Sequence, residues 1–133
     1  MSIKVNISDV RAIMMSNISI FQERKLGVKT MYWLSRLAKE LNSHMRIYDE
    51  ERNKLIMDNC QKNEKGRPVV KEGKFQFANE EKEREVIEKI KELSELEFEF
   101  GMDKLKIDIN ELQGFISASE ILLLEPFVEF QKL

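Results

Sequence analysis

The chain has 133 residues, 42% of them apolar and 35% charged, with a formal net charge of −2. That length fits a single domain spanning residues 1–133 with one ordinary core, and so small a net charge argues against nucleic acid as a partner steered in over the whole surface. One cysteine excludes an internal disulfide, and no stretch approaches the ~20 consecutive apolar residues of a membrane-spanning helix.

In chain order, Ile3 and Val5 alternate with Lys4 and Asn6 as in a short strand. Ser8 and Asp9 make a helix start, and Val10, Ile13, Met14, Ile18 and Phe21 recur at helical spacing, predicting a helix over about 8–22. Gly27 then marks a turn. From Val28 to Lys65 there is neither Gly nor Pro, and the spacing predicts a long helix over about 28–62. Met31, Leu34, Ala38, Leu41, Met45, Tyr48 and Leu55 step by alternating threes and fours, a coiled-coil-like seam broken only by Arg52. Because such a helix runs to about 45 Å at ~1.5 Å per residue, the seam is expected to serve self-association, through Met31, Leu34, Leu41, Met45, Tyr48 and Leu55.

Residues 68–77 read as a β-hairpin turning at Glu72-Gly73, with Val70 opposite Phe75 and Pro68 opposite Phe77 on an apolar face. Asn79 caps a charged helix over about 79–94. The period then changes to two: Leu96, Phe98 and Phe100, then Leu105, Ile107 and Ile109, alternate with charged residues. With a turn at Met102-Asp103 they predict a second antiparallel hairpin over about 96–109, which the first hairpin would join or approach. Ser117 to Glu120 is a capping-box pattern before a short C-terminal helix; Pro126 ends it, and Val128 to Phe130 can be extended. The fold class expected is α+β, with long helices packed on short antiparallel hairpins.

Catalytic signatures are sparse. His44, the single histidine, and Cys60 stand sixteen residues apart on one predicted helix, about 24 Å by helix rise, too far to share an ion. No phosphate-binding glycine motif is present, and the dense carboxylates read as solvated helix surface. Neither an enzyme, a metal nor a cofactor is expected.

Charge is nonetheless uneven: residues 1–48 carry eight Lys/Arg against three Asp/Glu, and the remainder is acidic. Around the Gly27 turn, Arg24, Lys25, Lys29 and Arg36 gather with Tyr32 and Trp33. Cations and aromatics three or four apart share a helix face, a combination that takes an anionic nucleotide by charge and stacking. The competing arrangement docks this basic start on the acidic half of the chain, with Trp33 in the core.

The order of these elements resembles a family of small proteins of tailed phages and prophages of Gram-positive bacteria, encoded in late gene clusters. The elements are "YDEERNKLI", "NEKGRPVVKEGKFQF", a charged helix, "ELEFEF…LKIDI" and "ISASEILLLEPFVEF". The likeness runs over about residues 45–130 and is one of architecture. It implies a phage protein of the host cytoplasm or virion, and offers no catalytic residues. Two functions are compatible with it. One is a non-enzymatic, self-associating binding protein that engages a host or anti-phage-defence component, either a protein or an anionic nucleotide ligand. The other is an accessory of virion assembly, chaperone-like or a minor virion protein.

Overall fold

A computed structural model describes residues 3–132. In chain order these form β1 (Lys4–Asn6), α1 (Ile7–Ser16), a 3-10 turn (Ser19–Gln22) and the long α2 (Val28–Asn59). After them come β2 (Val70–Lys71), β3 (Lys74–Phe75), α3 (Glu80–Glu95), β4 (Glu97–Glu99) and β5 (Leu105–Asp108). A second 3-10 turn (Ile109–Leu112), α4 (Ala118–Leu124) and β6 (Val128–Gln131) complete the chain. The α+β class is as the periodicities predict, with 3.6-residue and two-residue patterns each in the stretch that carries them.

The described residues fall into two compact units: those up to Met45 with those from Glu97 onward, and Arg46–Leu96. In the first, the core gathers Val10 and Ile13 of α1, Leu34, Leu37 and Leu41 of α2, and Phe100, Ile107, Leu112 and Phe127 of the later half. The seam of α2 is therefore consumed largely inside the chain. Leu34, Leu41 and Tyr48 are buried, Met31 and Met45 pack against this core, and Leu55 is half-buried.

The predicted helix over 8–22 is two elements. Asn6 caps α1, its side chain accepting from Asp9 N at 2.9 Å while the Asp9 carboxylate accepts from Asn6 N. Ser8 lies inside the helix. Asn17, left-handed at φ 50°, ends it, one of the few non-glycine residues that takes this conformation readily.

The predicted hairpin over 96–109 does not form. β4 pairs antiparallel with β1, Phe98 opposite Val5 and Glu99 opposite Lys4, which sets unlike charges across the strands. β5 pairs parallel with β6, Leu105 opposite Val128 and Ile107 opposite Phe130. The cause lies between them. Phe100 N donates to Ile3 O at 2.9 Å and Ile3 N to Met102 O at 3.2 Å, so Ile3 fills the place that Leu105 would need. Gly101, at φ +91°, turns the chain there, and Met102 is buried rather than exposed at a turn. The alternation in 96–109 registers burial correctly, but period two does not name a strand's partner.

In the second unit, β2 and β3 pair as predicted, with Val70 opposite Phe75 and Lys71 opposite Lys74. They form a two-stranded sheet of their own and do not join the later strands. Pro68 bridges Lys62 rather than Phe77, because Gln61 takes the place beside Val69 and Gln76: Val69 N donates to Gln61 O, and Gln61 N to Gln76 O. The hairpin's apolar face is not covered here; Val70 is 52% exposed, while Phe77 packs on Ile56, Cys60 and Val86.

Glu72 and Gly73 both have positive φ, as a two-residue hairpin turn of this hand requires. A left-handed non-glycine residue costs about 1–2 kcal/mol, and asparagine tolerates it best, so Glu72→Asn is expected to stabilise the protein by about 1 kcal/mol, read as a raised urea midpoint. At α4, Ser117 N and Ser19 N donate to the Glu120 carboxylate at 3.0 and 3.3 Å. The bond from the Ser117 backbone holds its pKa below the usual 4.5. A carboxyl depressed on folding contributes stability above its unfolded pKa and loses it as pH falls through the lower, folded value. Glu120→Gln should therefore flatten the acid limb of the stability–pH curve below about pH 4.5, measured as the wild-type minus variant difference in melting temperature.

Candidate functional site

The first unit holds a concave groove of about 590 Å³, within the ordinary range for small-ligand sites. One wall is the first two turns and a half of α2, contributing Lys29, Thr30, Trp33 and Arg36. The other runs from Gly101 along β5 to Glu111, with Asp103, Lys104, Lys106 and Asp108 beside Met102, Leu105 and Ile107.

Helical spacing builds the first wall: 29, 33 and 36 fall on one face. Trp33 is 39% exposed, so this ring is not in the core, although the start of α2 does dock on Glu111 of the acidic half. The Tyr32 ring meets it edge-on at 5.3 Å between centroids. The Arg36 guanidinium lies 6.0 Å from the Trp33 ring centroid and reaches the Tyr32 hydroxyl at 3.4 Å, so the three side chains restrain one another through a cation–π contact.

Glu111 closes one end. Its carboxylate accepts from Gly27 N at 3.0 Å, a donor that the start of α2 leaves without a helical partner, and from the Thr30 hydroxyl at 2.8 Å, placing negative charge at the helix's positive end. Gly27 leaves room for it: a Cβ there would stand 2.7 Å from Glu111 Oε1. On β5, Asp108 Oδ1 accepts from Asn110 N at 2.9 Å, which starts the 3-10 turn carrying Glu111.

Of the residues singled out from sequence, Lys29, Trp33 and Arg36 line the groove, and Tyr32 supports it. Arg24 and Lys25 are exposed and lie outside its lining; Lys25 N is turned to Glu23. Lys104, Lys106 and Glu111 were invisible as site residues, since the alternation of lysines with Leu105 and Ile107 reads only as a strand's solvent face. Among the described residues, Lys29, Lys104 and Lys106 form no ion pair.

His44 and Cys60 stand elsewhere. His44 Nε2 is 3.0 Å from Phe100 O and so donates to it, with its ring against Phe98 and Phe100. Cys60 is buried beside Ile56 and Val86. Among the described residues, no group of His, Cys, Asp and Glu is placed to hold a metal, and no helix is long and apolar enough to cross a membrane. No protein family, curated protein or solved structure matches the chain.

The Gly27–Glu111 packing gives a direct test. Glu111→Ala should cost about 1 kcal/mol, as loss of a helix cap does, and Gly27→Ala should cost a similar amount by displacing the carboxylate. In the Glu111→Ala background the Gly27→Ala cost should largely vanish, a coupling that a double-mutant denaturation cycle measures.

Proposed function

We propose that this is a non-enzymatic, phage-encoded binding protein that engages a negatively charged host or anti-phage-defence component through the groove over Trp33. The observation that carries the reading is a half-exposed tryptophan on a concave surface that also presents Lys29, Arg36, Lys104 and Lys106. Large aromatic rings exposed in a concavity, ringed by cations, are typical binding anchors. The phage origin is supported by the resemblance in element order alone.

The residues lining the groove favour binding over chemistry. They include neither His44 nor Cys60, and the Glu111 carboxylate is committed to the start of α2. The seam of α2 is not needed for this role, since its central residues are buried within the chain.

The test is capture from phage-infected cells with tagged wild type and with Lys104→Glu/Lys106→Glu, two exposed positions. A partner retained by wild type and lost by the variant, with unchanged circular dichroism and melting, is the expected result. Partners held equally by both, or recovery chiefly with virion proteins, would replace this reading with the assembly role.

A further inference from the structure

We infer that the groove's ligand is a nucleotide, its base against the Trp33 indole and the open edge of β5, its phosphate held by Lys104 and Lys106 with Lys29. The inference rests on the groove being a binding site, as proposed above, and adds the chemistry of what enters it.

The base side rests on two features. Trp33 is the chain's one tryptophan, left 39% exposed while Arg36 and Tyr32 restrain it. A restrained aromatic ring gives a flat ligand a platform that loses little freedom on binding. The second feature is main chain. Among the described residues, β5 and β6 are the only strands of their sheet, and Leu105 N donates to Phe127 O at 3.0 Å. In a parallel ladder this phase turns the N–H and C=O of Leu105 and Ile107 toward β6 and those of Lys106 the opposite way. Lys106 lines the groove. Its N–H and C=O are a fixed donor and acceptor, the pair that the hydrogen-bonding edge of a nucleobase complements, among the apolar Met102, Leu105 and Ile107.

The phosphate side rests on charge. Lys29, Lys104 and Lys106 are exposed cations without an ion pair among the described residues. Three carboxylates line the groove with them: Glu111 has both oxygens committed to Gly27 and Thr30, one oxygen of Asp108 is taken by Asn110 N, and Asp103 is itself partnered. An inorganic anion would use the lysines but leave the indole and the strand edge without a partner. A nucleoside would use the indole and edge but leave the lysines.

Trp33, as the one tryptophan, makes the experiment site-specific. The full chain is titrated with AMP, ATP, GTP and UMP, with adenosine, and with inorganic triphosphate, following tryptophan fluorescence. Saturable quenching by at least one nucleotide is expected. Adenosine should bind about tenfold or more weakly, triphosphate should not quench, and Lys104→Glu/Lys106→Glu should weaken nucleotide binding by about tenfold or more, the loss of charge-assisted contacts. Calorimetry on Trp33→Ala, which carries no reporter, should show a comparable loss. Triphosphate binding in calorimetry as tightly as any nucleotide would mean an anion site only and overturn the inference. So would quenching by none of the four nucleotides. If that failure accompanies a partner captured by wild type and lost by the lysine variant, the ligand class is wrong and the binding site stands; if the capture also fails, both fall.

Discussion

Phe100 is fully buried, and three parts of the first unit meet on it. Its N–H donates to Ile3, its carbonyl accepts from His44 of α2, and its ring packs on Phe127, just before β6, at 4.8 Å. Burying one such ring contributes about 1.5–3 kcal/mol, but its position matters more here. By anchoring β4 to the N-terminal strand and to the middle of the long helix, it decides where the chain goes after Gly101. That direction carries β5 alongside the start of α2 to make a groove. The backbone bonds at Phe100 and Met102 hold Ile3 between them, and this excludes the local hairpin that the alternating pattern would otherwise favour.

The groove depends on a division of labour among its charges. An acidic side chain at the N-terminus of a helix is satisfied by the helix itself, and Glu111 is used in this way. The arrangement orders the junction between α2 and the second 3-10 turn, and it takes a carboxylate's oxygens out of play as partners for the lysines. Arg36 is likewise occupied, its guanidinium near the Trp33 ring and donating to the Tyr32 hydroxyl, two contacts that a guanidinium with several fixed donors makes together better than a lysine ammonium would. The remaining basic side chains face solvent, beside an indole that the core does not cover.

Much of the local structure was legible. The long helix, the charged helix behind Asn79, the Glu72-Gly73 turn and the Ser117–Glu120 capping box all follow from periodicity and side-chain chemistry, which act within a few residues. The reading of Lys29, Trp33 and Arg36 as one face was also available, because helical spacing alone determines it. What could not be read was partnership. Lys104 and Lys106 alternate with apolar residues in any register, and Glu111 looks like surface until the start of α2 arrives, 84 residues away in sequence. The seam of α2 makes the same point: a heptad-like stripe states that a helix buries one side, and which surface covers it is set elsewhere.

The sequence by itself determined the long helix, the charged helix behind its Asn79 cap, the capping box of the last helix and the Glu72-Gly73 turn, and that an aromatic residue and cations share the first turns of the long helix. These depend on contacts three or four residues apart and on alternation along a strand, both written in adjacent residues. Tertiary structure alone decided that β4 goes to β1 and β5 to β6, that Trp33 stays half-exposed, and that a second wall of lysines faces it. Those outcomes rest on which distant apolar surfaces bury one another and which backbone groups find partners, a competition that local patterns do not encode.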